Sequence, residues 1–207
     1  MFITFEGIDG SGKTTQAKQA AAFLQARGYD VLLTREPGGT AIGDQVRTVL
    51  HSLDNKAMHP RAELLLYCAS RAQLVEEVIR PRLAKGGIVI CDRFADSTLA
   101  YQGYGHGLDL KVLKRLLAFA TGGLKPDVTL YLDLLPEDGL RRRKGASLFG
   151  EEYNRLDAME MAFHQRVYAG YHKLIKAEPG RWARIAANRP IDAVQADVQR
   201  VLVERLK

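Results

Sequence analysis

The chain has 207 residues, 46% of them hydrophobic, with 30 Lys and Arg against 24 Asp and Glu, for a formal net charge of +6. That suffices for one sizeable core and fits one domain spanning residues 1–207 with small insertions. No run of 18 apolar residues occurs and no basic stretch precedes a hydrophobic one at the N-terminus, which leads us to expect a cytoplasmic soluble protein without a membrane-spanning helix.

In chain order, the apolar Phe2 to Phe5 reads as a strand, followed at once by Gly7-Ile8-Asp9-Gly10-Ser11-Gly12-Lys13-Thr14, a complete G-x-x-x-x-G-K-T phosphate loop. The glycines let backbone N–H groups converge on a polyphosphate, and the helix that starts there adds its positive end. Lys13 supplies a mobile cation for the β/γ-phosphates, and the Thr14 hydroxyl is placed to hold Mg²⁺. Ala17, Ala20, Ala21 and Leu24 then recur on one helix face, and Gly28 stops that helix.

Val31 to Leu33 is a second strand, followed by Arg35-Glu36-Pro37-Gly38-Gly39-Thr40. A long helix is expected over 61–84, introduced by Pro60 and closed by Gly86-Gly87. Ile88 to Cys91 is a third strand ending at Asp92, followed by Arg93 to Thr98. Val128 to Leu132 and Trp182 to Ala186 complete five strands, and the closing helix buries Val194, Val198, Val201 and Leu202. Strands alternating with helices predict an α/β, doubly wound five-stranded parallel sheet of the P-loop NTPase type. The loops after strands one to three should then share one crevice.

Asp92 ends an apolar strand where a Walker-B carboxylate would hold Mg²⁺; a strand-end Asp also serves as a cap, but the phosphate loop favours the metal. Cys68 and Cys91, with 22 residues of chain between them, lie in apolar surroundings and read as packing groups. His51, His59, His106, His164 and His172 show no metal-ligand spacing. The densest basic run, Arg141 to Lys144, precedes Gly145-Ala146-Ser147-Leu148-Phe149-Gly150; it reads either as a solvated helix face or as a phosphate-seeking lid at about 141–155.

The segments Phe5 to Gln16, Thr34 to Thr40 and Asp92-Arg93-Phe94-x-x-Ser97-Thr98-x-Ala100-Tyr101-Gln102 together resemble the thymidylate kinases, which phosphorylate dTMP with ATP and Mg²⁺ on the route to dTTP. The likeness runs from Phe2 to Ala187-Asn188-Arg189-Pro190. It implies that Gly7 to Thr15 hold the ATP phosphates and that Asn188 and Arg189 lie at the ATP site. It implies that Tyr67, where phenylalanine is usual, stacks on the thymine ring and that Arg71 and Gln102 meet its edge, with Thr98 and Ser97 beside them. Arg47 and Arg93 match holders of the dTMP phosphate, Glu36 and Pro37 lie near that phosphate, and Asp9 and Tyr101 match positions at the sugar. Because Gly10 stands where some relatives carry an arginine, the resemblance implies a lid type usual in bacteria, with Lys13, Arg93, Arg142, Arg143 and Lys144 as the catalytic cations, and it implies a homodimer.

Competing readings are a kinase for another pyrimidine deoxynucleoside monophosphate such as dUMP, and a nucleic-acid-associated P-loop ATPase. The second should carry a longer basic stripe with interleaved aromatics. A GTPase would need an N-K-x-D stretch, which is absent.

Overall fold

The computed structural model describes residues 1–147 and 156–206. Five strands, β1 (Phe2–Glu6), β2 (Val31–Arg35), β3 (Ile88–Asp92), β4 (Val128–Asp133) and β5 (Trp182–Ala186), form one parallel sheet in the order β2-β3-β1-β4-β5. The three central strands are buried almost throughout, whereas β2 and β5, each with one free edge, mix buried, half-buried and exposed residues. The expected strands and sheet are those observed.

Side chains alternate between the two faces of the sheet. Ile3, Phe5, Ile90 and Leu130 join a core with α1 (Lys13–Gln25), α8 (Met161–Ala177) and α9 (Ile191–Arg205). Phe2, Val89 and Cys91 join a second core with Leu74, Val75 and Ile79. On that side α3 (Pro60–Leu74) lies between α2 (Ala41–His51) and α6 (Leu110–Thr121). Cys68 and Cys91 are buried free thiols, as the packing reading expects. Among the described residues no helix is long and apolar enough to cross a membrane.

Two segments differ from the sequence reading. The helix expected over 61–84 is α3, a π-helical stretch Val75–Ile79, and α4 (Arg80–Ala84). Pro81 has no N–H to donate and its ring crowds the carbonyl of Glu77, inside the π stretch, which is the usual cause of such a bulge. The segment after β3, read as a loop, is helical from Ala95: α5 (Ala95–Thr98) runs into a π-helical stretch Leu99–Gly105. The Glu6 carboxylate, at the end of β1, accepts from the N–H groups of Phe94 (2.8 Å) and Ser97 (3.2 Å), so the cap of this helix comes from 88 and 91 residues away. The π stretch packs on α8 so closely that a Cβ on Gly105 would lie 2.6 Å from the Phe163 ring. That contact fixes Tyr101 and Gln102.

Candidate active site

The connection leaving β1 goes to one side of the sheet and that leaving β3 goes to the other, so the crevice between these neighbours is the topological switch point. The phosphate loop opens from β1 there. Gly7, Gly10 and Gly12 have φ values of 146°, 77° and 89°, which only glycine adopts readily. The Lys13 amine folds back to donate to Ile8 O at 2.7 Å. Burial, reinforced by Arg93, pushes the Lys13 ammonium down to about 8 against the pull of Asp9 and Asp92. An arriving polyphosphate would oppose that fall and hold the ammonium charged.

Thr14 Oγ1 donates to Asp92 Oδ2 at 2.5 Å, while Asp92 Oδ1 is buried with no hydrogen-bond partner. Two hard oxygen groups with one unsatisfied lone-pair site suit a small divalent cation that takes its remaining ligands from phosphate and water. Among the described residues no group of three or more His, Cys, Asp or Glu could hold an ion.

A cavity of about 540 Å³ runs from Gly12, Lys13, Thr14 and Thr15 past Asp92 to Glu36, Pro37 and Arg47, and ends against Tyr67, Arg71, Thr98 and Gln102. Arg71 is 1% exposed and Glu36 5%. Arg71 Nε and Nη2 donate to Glu36, Nη2 also to Phe94 O (3.2 Å), and Nη1 to Thr98 Oγ1 (3.0 Å). A guanidinium has five N–H donors, so one on Nη1 remains. Burial opposes charge on both partners. Burial raises the Glu36 carboxyl and Arg71 opposes that rise; Arg71, which does not give up its proton, is held above its usual value by Glu36 against burial. Tyr67 and Arg71, four apart on α3, share the face expected from their spacing. Arg47 Nη1 donates to Pro37 O at 3.3 Å.

Arg93, the one non-glycine residue with positive φ (71°) among the described residues, sits between the two ends of the cavity. Its guanidinium pairs with Asp9 and donates to Gly7 O (3.1 Å), Ser97 Oγ (3.1 Å) and Tyr101 Oη (3.2 Å). Tyr101 Oη donates to the other Asp9 oxygen at 2.8 Å. Burial alone would raise the Asp9 carboxyl, but Arg93, Lys13 and the Tyr101 hydroxyl outweigh it and hold it well below the carboxylate range.

The Gly10 position explains itself. A Cβ there would lie 2.2 Å from Gly139 O, on α7 (Pro136–Ser147), so no arginine fits in the loop itself. The same helix carries Arg142 and Arg143 one turn further on, and both line the cavity. Arg142 Nη1 donates to Ala187 O at 3.1 Å, and Arg143 pairs with Asp157 at 2.9 Å. Lys144 is exposed and outside the cavity lining. Asn188 and Arg189 lie exposed in the turn between β5 and α9, beside the carbonyl that Arg142 grips; Arg189 pairs with Asp197. The part of the expected lid at 148–155 lies outside the described residues.

A sequence model of the family described as thymidylate kinase matches residues 5–198. A thymidylate kinase of Roseiflexus sp. (strain RS-1) is 54% identical over 96% of this chain and 91% of its own length. One from Exiguobacterium sp. (strain ATCC BAA-1283 / AT1b) is 49% identical over 100% and 96%. The crystal structure of thymidylate kinase from Ehrlichia chaffeensis superposes with a TM-score of 0.80 at 36% identity, covering 98% of both chains. The chain belongs to the thymidylate kinase family.

In this thymidylate kinase family member, several residues of the site escaped sequence reasoning. Arg35, His51 and Leu156 also line the cavity. Glu6 is fully buried and, besides capping α5, accepts from Ser97 Oγ (2.5 Å) and Tyr171 Oη (2.8 Å). Glu6 carries the same signal as Asp92, an acid ending an apolar strand; Tyr171, 165 residues away, carries none.

Burial, with Asp96 adding to it, pushes the Glu6 carboxyl up to about 7, against Arg93 and the bonds from Ser97 and Tyr171. Its folded value lies above its unfolded one, so the stability it contributes is full below about pH 4.5 and lost as pH rises through about 7. Urea unfolding at pH 5 and pH 8 should therefore show Glu6→Gln gaining on the parent at the higher pH by up to about 3 kcal/mol. An equal difference at both pH values would contradict the assignment.

Proposed function

We propose that the chain transfers the γ-phosphoryl group of ATP to dTMP, giving dTDP for dTTP synthesis. The observation that carries this is a single cavity joining a complete phosphate loop to a pocket that presents an aromatic ring, one spare arginine N–H and a glutamine amide. In this reading Gly7 to Thr15 hold the ATP phosphates, with Asn188 and Arg189 beside the adenosine. Thr14 and Asp92 would hold Mg²⁺, which neutralises charge on the β- and γ-oxygens when bound.

On the acceptor side, Tyr67 stacks on the base, Arg71 donates to thymine O4, and Gln102 accepts from N3–H. Asp9 and Tyr101 lie against the sugar, while Arg47 and Arg93, with Glu36, Pro37 and Ser97 around them, hold the acceptor phosphate. Its oxygen attacks in line and already carries the nucleophilic charge, so no strong base is needed. Holding both substrates in register can remove about 7–11 kcal/mol of barrier in favourable cases. Lys13, Arg93 and Arg142 supply cations at the transferring group; Arg143 and Lys144 belong to the same lid.

The chain acts in this reading as one kinase domain, residues 1–207 with a lid near 141–155, in the cytoplasm. A homodimer is supported by Ile42 and Val49 on α2, Leu65 on α3, and Val112 and Phe119 on α6, large apolar side chains left exposed on three adjacent helices, with Phe119 at 89%. dUMP is the alternative acceptor, since it offers the same edge without the methyl group.

ADP release from ATP and Mg²⁺ tests the reading, with dTMP, dUMP, the ribose analogue of dTMP, dCMP and AMP offered separately. Stimulation by dTMP, well above dUMP, is the expected result. No monophosphate raising ADP release above the no-acceptor control would end the kinase reading.

A further inference from the structure

Outside the cavity wall lies a buried acid that the phosphoryl transfer does not use. Glu63, in the first turn of α3, is 0% exposed, and its Oε1 accepts from Gln102 Nε2 at 2.6 Å. The same oxygen lies 3.3 Å from His106 Nε2. His106, the residue that closes the π-helical stretch, is four residues from Gln102, and both side chains reach Glu63. Gln102 itself is 2% exposed and lines the pocket, whereas Glu63 does not.

We propose that Glu63 is a positioning residue that sets base preference by locking the Gln102 amide with its oxygen toward the pocket. The proposal rests on the reading of Gln102 as the group that meets the base edge. A glutamine amide has two nearly isosteric ends, one donating and one accepting, and in a pocket it can turn over. With Glu63 as the carboxylate, turning it over would set two acceptor oxygens 2.6 Å apart with no hydrogen between them. Glu63 therefore fixes Nε2 on itself and leaves Oε1 for the substrate.

The edge that results is one donor from Arg71 and one acceptor from Gln102. Thymine and uracil match it with O4 and N3–H. Cytosine offers an amino group and an unprotonated N3, a mismatch at both positions. A group held in the wrong orientation for the competitor rejects it as surely as a clash. His106 borders the same oxygen, its Nε2 3.3 Å away, and its ring packs against Phe163 with centroids 4.8 Å apart and a tilt of 53°.

The test compares kcat/KM for dTMP and dCMP in wild type, Glu63→Gln, Gln102→Leu and the double variant. An amide at 63 both donates and accepts, so it tolerates either orientation of Gln102. Glu63→Gln is expected to lower the dTMP/dCMP ratio about tenfold or more, with dTMP kcat within about twofold of wild type, and the double variant should show no further loss beyond Gln102→Leu. If Gln102→Leu lowers the ratio and Glu63→Gln does not, the lock is overturned while the reading of Gln102 stands. If Gln102→Leu leaves the ratio unchanged, the reading of Gln102 itself fails. Equal losses for both nucleotides, additive in the double variant, would make Glu63 structural only. Should Glu63→Gln not fold, the wild-type side-chain amide of Gln102, assigned by its absence in Gln102→Leu, decides by NMR: one slowly exchanging proton is expected, and two protons exchanging as in free glutamine would overturn the lock.

Discussion

Arg93→Lys is expected to lower kcat/KM for dTMP by roughly 10²–10³, the loss found when a preorganised donor to developing charge is removed, equivalent to about 2.7–4 kcal/mol. The reasoning starts from the backbone. A non-glycine residue at φ 71° is held there by its surroundings, and here Cys91 Sγ donates to Arg93 O at 3.0 Å while Phe5 O accepts its N–H at 3.0 Å. The side chain is then spread over Asp9, Gly7 O, Ser97 and Tyr101, four partners from two segments that only a planar fork reaches together. An ammonium keeps the charge but serves fewer of them, so Asp9 and Tyr101 lose their registration with the phosphate loop. Steady-state kinetics with dTMP and ATP varied in turn check this, the ATP KM being expected to move far less than kcat. A variant within about fivefold of wild type would restrict Arg93 to bracing the loop.

What the sequence disclosed, and what it withheld, follows the range of the interactions. The phosphate loop was legible because its function is a local backbone conformation and the glycines that permit it lie close together in the chain. The strands were legible because burial on both faces leaves unbroken apolar runs such as Ile88 to Cys91. Tyr67 and Arg71 could be paired because helical spacing is itself a distance. The helix from Ala95 was not legible: its cap is the Glu6 carboxylate on another strand, and the Asp92 to Thr98 stretch has no capping side chain of its own. The Arg71–Glu36 and Gln102–Glu63 pairs join residues 35 and 39 apart and depend on how helices lie against the sheet. The Gly10 contact with Gly139 turns a guess from residue type into a steric reason, and only the packed structure supplies it.

Glu36→Ala should produce the largest loss of stability of any single change in the site. Glu36 and Arg71 are both almost wholly enclosed, and their contact is bidentate. Removing the acid leaves an unpaired guanidinium that cannot discharge by losing its proton and is almost wholly shielded from water. Breaking such a pair costs about 3–5 kcal/mol, which for a chain of this size corresponds to a fall in Tm of about 6–20 °C. The double variant Glu36→Ala, Arg71→Met removes both charges and fills part of the volume, so it should regain much of the lost Tm, since an apolar pair of similar size is often no worse than a buried ion pair. It should nevertheless bind dTMP poorly, because the one N–H that Arg71 does not spend on Glu36, Phe94 and Thr98 is gone. Thermal unfolding and dTMP titration of the wild type and the two variants separate these effects. A Tm recovered together with dTMP affinity would mean that Arg71 is a structural cation and that base recognition lies elsewhere in the pocket. A Tm that stays low in the double variant would mean that the pair itself, and not the stranded charge, holds α3 to the β2 loop.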